Sequence, residues 1–352
     1  MDIMAEKKGK YVQYEESQNP WETSESDFPE MGRPAEKLRF MLNYAVLAPS
    51  IYNIQPWIFK ILDNEAYMYA DMSRKLPIAD PDHRQILISC GAALFNLKCA
   101  IEHFRYTYKM ELCPSTTSPD LLATISLGNK SGQYYYRDNL FHAIKLRRTK
   151  WLRFKDQKIP DILLDNLKEV ACLHNTWFQV VHLNDKDNVI TDLIVQAKSA
   201  LSKNRDFCNE LASWLRSHNS SLDGLSSRTK GYSPLVSVLI PLLARNFKLG
   251  NSITTKNQDH ILNTSTLAVL GTQDDTPLEW LHAGMSLQNI LLHATTVGLS
   301  YSFVNDPIVV PELRKKLSEV LNREGYPQIF LRFGYSPDIE PTPRRPVGDV
   351  LI

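Results

Sequence analysis

This chain lacks paired cysteines, a charge of one sign and any obvious nucleotide or catalytic signature. Its five cysteines, Cys90, Cys99, Cys113, Cys172 and Cys208, are scattered and form no Cys-x-x-Cys. An odd, dispersed set argues against a disulfide framework or a cysteine zinc site, and suggests a reducing, cytoplasmic setting. Net charge is only +1, so no global field points to nucleic acid or an anionic membrane. The N-terminus has no apolar signal core, the apolar stretch at 234–244 is too short to cross a bilayer, and no membrane span is expected. There is no Walker loop, no Gly-x-Gly-x-x-Gly and no defensible Ser-His-Asp or Cys-His order. His282 and His293 have no partner carboxylate or second ligand at metal spacing, so no metal is expected.

What is present is an ordinary globular balance. Of 352 residues, 43% are hydrophobic and 22% charged, enough for two domains or one duplicated one. The first twenty residues are polar and charged, and read as a loose arm.

The most informative stretch is Ala48-Pro-Ser-Ile-Tyr-Asn-Ile-Gln-Pro-Trp57. It follows a predicted amphipathic helix at 36–47 and precedes a predicted strand at 58–62. Pro49 and Pro56 stiffen the backbone. Ser50, Asn53 and Gln55 bring donors and acceptors, and Trp57 reads as a flat anchor. Such a loop suits a flat, polar-edged ligand better than a core.

The chain also repeats itself. Gly91-Ala-Ala-Leu-Phe-Asn96 matches Gly284-Met-Ser-Leu-Gln-Asn289 at an offset of 193, which also aligns Asp82 with Asp275. Both segments open long apolar helices, predicted at 84–104 and 277–297, that lead into tyrosine-containing strands. Upstream, Phe28 and Pro34 match Phe154 and Pro160 at an offset of 126. A helix and then a tryptophan-led strand follow each pair. The expected fold is therefore α+β and internally duplicated, a pseudo-dimer in one chain.

The loop resembles the Ala-Pro-Ser-x-x-Asn-x-Gln-Pro-Trp signature of the flavin-dependent nitroreductase family. The tail, Pro327 to Tyr335 followed by Thr342-Pro-Arg-Arg-Pro-Val347, resembles the end of a long single-chain, Acg-like branch of that family. The resemblance implies a nitroreductase-like α+β fold, one FMN per chain, and NAD(P)H as a transient reductant. It implies a small-molecule acceptor such as a nitroaromatic or quinone, with no membrane or nucleic-acid partner. Arg147-Arg148-Thr149 resembles the family's phosphate and ribityl arm, while the matching first-half place reads Trp21-Glu22-Thr23. Gly298-Leu299 resembles the turn whose backbone lies along the reactive edge of the flavin; the first half has Arg105-Tyr106 there. Arg344 and Arg345 resemble tail residues that return to the phosphate. Pro49, Ser50, Asn53 and Gln55 would cup the dimethylbenzene and ribityl side.

The halves have thus lost complementary parts: the first keeps the loop, and the second keeps the arm and the turn. Because the family's clamp loop comes from the partner subunit, the retained parts should combine into one complete site in a monomeric pseudo-dimer. No side chain is expected to act as acid or base. The expected division is an arm at 1–20, a first half at 21–140 and a second half at 141–352. An insertion at about 204–265 is read as a lid. That lid leaves two other readings: a flavin-sequestering protein with little turnover, and a flavin-free interaction module.

Overall fold

The computed structural model describes residues 19–131, 138–172, 176–182, 188–216, 221–226 and 266–352. The expected N-terminal arm lies almost wholly outside the described residues. So do the apolar stretch at 234–244, much of the insertion read at 204–265, and His174 and Asn175, where the second half was read as lacking the loop.

Helix α1 (Pro34–Ala45) starts where Pro34 occupies its first turn and the Glu36 carboxylate accepts from Arg33 N–H at 2.8 Å. Leu38, Met41, Leu42 and Ala45 recur at helical spacing, and all are fully buried. Strands β1 (Trp57–Leu62) and β2 (Glu65–Ala70) form a hairpin. Helix α2 (Arg84–His103), β3 (Tyr106–Leu112) and β4 (Leu121–Lys130) complete the first half, and α3 (Asp138–Leu146) leads out of it. The second half begins with α4 (Asp161–Cys172) and β5 (Thr176–His182), followed by α5 (Asn188–Lys203) and α6 (Arg205–Ser213). A two-residue pair, β6 (Leu215–Arg216) and β7 (Leu225–Ser226), precedes β8 (Thr266–Thr272) and α7 (Pro277–Thr296). The chain ends with β9 (Ser300–Phe303), α8 (Asp306–Val309), α9 (Pro311–Val320) and β10 (Tyr326–Gly334).

The duplication is visible in the sheets. One is antiparallel in the order β1-β2-β4-β3, the other in the order β5-β8-β10-β9. Each is first, second, fourth, third among the strands of its own four-stranded sheet. Detail follows topology. The Asn96 amide donates to the Tyr44 carbonyl at the end of α1, and the Asn289 amide to the Val170 carbonyl near the end of α4. Those pairs are related by the two offsets found in the sequence.

Helices α2 and α7 pack against each other. A Cβ on Gly91 would lie 2.3 Å from the Leu281 carbonyl oxygen, and a Cβ on Gly284 would lie 2.0 Å from that of Ile88. The two glycines therefore let the backbones touch at symmetry-related points. Among the described residues one helix, α2, is long and apolar enough by length and composition to cross a membrane. Here it is the core helix of the first half, with Ile86, Cys90, Leu94, Leu97 and Ile101 buried in the same cluster as α1.

The halves differ most between their first two strands. Asp63 and Asn64 join β1 to β2, whereas residues 183–265 separate β5 from β8. The extra segment therefore opens with α5, upstream of residue 204. Ile190, Leu193, Ile194 and Ala197 of α5 cover the outer face of the second sheet.

A polar network pins the start of α7. The Asp275 carboxylate accepts from both terminal nitrogens of Arg314 (2.7 and 2.9 Å), from the Gln328 amide (2.9 Å) and from the Trp280 indole (2.6 Å). Arg84 of the first half joins by donating to the Gln328 carbonyl at 2.9 Å. Burial would raise the Asp275 pKa, but these hydrogen bonds outweigh it and hold it down at about 2, from an ordinary 3.8. A depressed carboxylate stabilises the fold above its unfolded value. This contribution is present above pH 3.8 and is lost as pH falls towards 2. Asp275→Ala leaves Arg314 only the neutral Pro327 and Gln328 oxygens and is expected to cost about 3 kcal/mol at neutral pH. Urea denaturation at pH 7 and at pH 3 checks this: the gap between wild type and variant should narrow at the lower pH.

Candidate functional site

The loop after α1 is backbone-strained. Tyr52, Asn53 and Gln55 have φ of 48, 55 and 51°, the left-handed region that non-glycine residues occupy at a cost of about 1 kcal/mol or more. Internal bonds hold it. Ser50 Oγ accepts from Gln55 N–H at 3.0 Å, and the Cys90 thiol donates to the Pro56 carbonyl from beneath. Trp57 departs from its expected role as a ligand anchor. Strand alternation turns it inward with Phe59, and both are fully buried.

Asn53 and Gln55 are buried and bind other parts of the chain. Asn53 Oδ1 accepts from Arg344 Nη1 at 2.9 Å, and Asn53 Nδ2 donates to the Pro343 carbonyl at 3.2 Å. Gln55 Oε1 accepts from Arg345 N–H at 2.8 Å, and Gln55 Nε2 donates to the Leu222 carbonyl at 2.8 Å. The loop therefore grips the C-terminal tail with one hand and the 221–226 segment with the other. Gly224 N–H donates to the Asn53 carbonyl, and Asp223 pairs with Arg74 at 2.8 Å. Arg345 lies further out, near Asp71 at 3.9 Å.

Three guanidiniums meet beside this loop. Arg147 follows α3, Arg148 is its neighbour, and Arg344 returns on the tail. Arg147 and Arg344 each donate through Nη2 to the same acceptor, the Leu47 carbonyl at the end of α1, both at 3.4 Å. Arg147 Nη1 also donates to the Tyr301 hydroxyl (3.2 Å) and to Thr149 Oγ1 (3.4 Å). Arg148 Nη1 donates to the carbonyls of Lys145 and Arg147, both at 2.8 Å. These partners are all neutral oxygens. Among the described residues no carboxylate lies within ion-pair distance of any of the three. The Nε of each is buried without a hydrogen-bond partner.

The electrostatics match that geometry. Burial and the nearby charges of Arg147 and Arg148 push the Arg344 pKa well below its usual value. Burial and Arg147 lower that of Arg148 to about 10. Asp338, paired with Lys150, acts on Arg148 only from beyond ion-pair distance, and three like charges held together with no carboxylate in contact are costly unless an anion joins them. Three orphaned N–H donors beside them suit a phosphate group.

The remaining sequence candidates fall around this cluster. Thr149 bridges to Tyr301 on β9, and Lys150 N–H donates to the Tyr301 carbonyl. Lys150 Nζ is engaged by Asp338 at 2.9 Å and Arg153 is exposed, so neither adjoining cation joins the three guanidiniums. Gly298 (φ 73°) and Leu299 close α7, with their N–H groups donating to the Thr295 and Ala294 carbonyls. Arg105, at the same place in the first half, also has a left-handed φ of 64°. Pro49 is buried and Ser50 half-buried. His282 does face a carboxylate, Glu279 at 3.4 Å, which its spacing had not suggested. Among the described residues no cluster suits a metal ion.

Sequence reasoning missed Tyr301, which is 1% exposed and accepts from Arg147. Its signal was the tyrosine strand recurring in both halves. It also missed the Leu47 carbonyl, since no side-chain motif marks a backbone acceptor.

No protein-family model matches the chain. Among curated proteins it is similar to Rv3131 of Mycobacterium tuberculosis, named as a candidate NAD(P)H nitroreductase. The two are 27% identical over 326 residues, covering 90% of this chain and 91% of that protein. It is similar also to acg of the same organism, named in the same way, with 25% identity over 324 residues covering 89% and 95%. Among solved structures, the FMN-dependent nitroreductase NfnB from Mycobacterium smegmatis in complex with NADPH aligns with a TM-score of 0.38 at 15% identity. That alignment covers 58% of this chain and 90% of that one. The homologues of this chain are thus Acg-like proteins, in agreement with the resemblance read from loop, double arginine and tail.

Proposed function

We propose that the chain is an FMN-dependent NAD(P)H oxidoreductase whose single flavin site spans both halves of the duplication. The observation that supports this most is the trio of Arg147 and Arg344, buried, and Arg148, half-buried, with no carboxylate in ion-pair contact and with three orphaned Nε donors. The names of the relatives agree with it. When bound, FMN supplies the redox chemistry, accepting a hydride from NAD(P)H and passing electrons to a nitroaromatic, quinone or similar acceptor.

In this reading the protein binds and orients. Arg147, Arg148 and Arg344 hold the phosphate, with Thr149 beside them as a further hydroxyl donor. Asn53 orients Arg344 through its side-chain Oδ1, and Gln55 fixes the backbone of Arg345. Pro49 and Ser50 form the wall of the loop. The Gly298-Leu299 turn, whose N–H groups already serve the helix end, can reach a ring edge only through shared hydrogen bonds. The division of the chain near residue 140 follows from this reading, as the loop lies on one side and the arm on the other.

Two measurements test it. Flavin absorbance per mole of purified protein should correspond to one FMN per chain; two would overturn the single-site reading. Asn53→Ala and Arg148→Ala should each weaken retention of that same flavin by about tenfold or more, the loss of one charge-assisted hydrogen bond or its support.

A second reading has its own support. The 221–226 stem of the extra segment is tied to the loop by Gln55, Gly224 and the Asp223–Arg74 pair. If residues 204–265 close over the cofactor, the protein sequesters FMN and turns over little. Anaerobic NADH or NADPH separates the two: rapid bleaching of flavin absorbance supports the oxidoreductase, and reduction by dithionite alone supports sequestration.

A further inference from the structure

We propose that Trp21 positions the phosphate-binding arginines, so that the vestigial arm of the lost site now serves the surviving one. This rests on the reading of the arginine trio as a phosphate site. The offset of 126 that carries Phe28 onto Phe154 also carries Trp21 onto Arg147. Where the second half has a guanidinium, the first has an indole that packs against guanidiniums. The Trp21 ring lies 4.5 Å from the Arg148 guanidinium carbon and 5.6 Å from that of Arg344. Its indole N–H donates to the Thr342 carbonyl at 2.9 Å, and that carbonyl also accepts from Arg344 Nη1 at 3.2 Å. One side chain thus touches an arginine of the arm, an arginine of the tail and the tail backbone.

The segment carrying Trp21 is itself held in place. Asn19 Oδ1 accepts from Trp21 N–H at 3.2 Å, and the Lys145 ammonium donates to the Thr23 carbonyl. The Glu25 carboxylate meets His103 Nε2 at 2.9 Å. Glu22, which would oppose an anion, is exposed and accepts from the Asn19 amide.

The residue type matters. An aromatic face attracts a guanidinium and shields one side of it from water without neutralising its charge. A carboxylate in the same place would satisfy the arginines and compete with a phosphate. Trp21 therefore restrains the arginines while leaving their Nε donors available, and it lowers the ordering cost of binding.

The experiment uses the full-length protein, Trp21→Ala and Trp21→Phe, and three probes: FMN, riboflavin and inorganic phosphate. Trp21→Ala should weaken FMN about tenfold or more, the size of one or two cation–π contacts. It should leave riboflavin affinity unchanged and abolish thermal protection by inorganic phosphate. Trp21→Phe keeps the ring face and should retain most of the FMN affinity. Wild-type FMN affinity in Trp21→Ala, or equal weakening of FMN and riboflavin, would overturn the proposal, the latter because it signals general loss of packing. If the wild type takes up no flavin yet its phosphate protection depends on Trp21, the flavin reading fails and this one stands. Phosphate protection indifferent to Trp21 sinks it in either case.

Discussion

Arg344→Met is expected to empty the proposed flavin site while leaving the flavin-free protein at least as stable as the wild type. Arg344 is 4% exposed, its partners among the described residues are neutral oxygens, and its Nε has none. Burying such a charge costs several kcal/mol that neutral acceptors only partly return. Methionine has a similar reach and removes that cost. What it cannot do is donate to a phosphate, and each hydrogen bond to a charged group is worth about 1.5–3 kcal/mol. Affinity for FMN should therefore fall by about a hundredfold or more. Urea denaturation of the flavin-free proteins and FMN titration check the two halves of the prediction. A large stability loss with FMN binding intact would instead make Arg344 a structural tether between tail and loop. Arg344→Lys should recover only part of the affinity, because an ammonium lacks the guanidinium's forked donors.

Gly284→Ala is expected to lower stability by about 3 kcal/mol or more and to release flavin with it. The added Cβ would sit 2.0 Å from the Ile88 oxygen, 2.8 Å from its carbon and 2.9 Å from Gly91 Cα. All three are backbone atoms, so no side chain can move aside and the helices must part. Overpacking in a core that can adjust costs about 1–3 kcal/mol, and this contact has less freedom than most. Parting α2 from α7 also separates the two halves across which Arg147 meets Leu47. Gly298→Ala is the control. Gly298 has open space around its missing Cβ but a φ of 73°, so its cost should be only the backbone penalty of about 1 kcal/mol. Denaturation midpoints and FMN titrations on both variants give the comparison. Equal effects would show that the α2–α7 contact yields more readily than its backbone distances imply.

The elements were legible because their causes are local. Apolar spacing marked α1, α2 and α7 to within a few residues of their ends. The recurrence of glycine, leucine and asparagine at one offset revealed the duplication, and the structure explains why those residues recur. The glycines let the core helices touch, and each asparagine ties its core helix to the end of the helix that opens its half. Trp57 was misread because a polar, proline-rich loop precedes it, while its own orientation is set by strand alternation within β1. The α5 segment was not recognised as part of the insertion, since its amphipathic pattern suits a core helix of either half.

Asn53 and Gln55 show a different limit. Their residue types correctly suggested a gripping loop. What they grip most directly is the tail, almost 300 positions away, and no local pattern encodes that pairing. By itself, then, the sequence determined the repeat, the α+β elements and the set of basic and polar residues available to a phosphate-bearing ligand. Those properties depend on periodicity, capping and residue chemistry. Only the tertiary structure decided that Arg147, Arg344 and the Leu47 carbonyl come together, and that Trp21 lies against Arg148 and Arg344. That convergence depends on the packing of α2 on α7 and on the path of the tail across the first half, where contacts distant in sequence outweigh local preference.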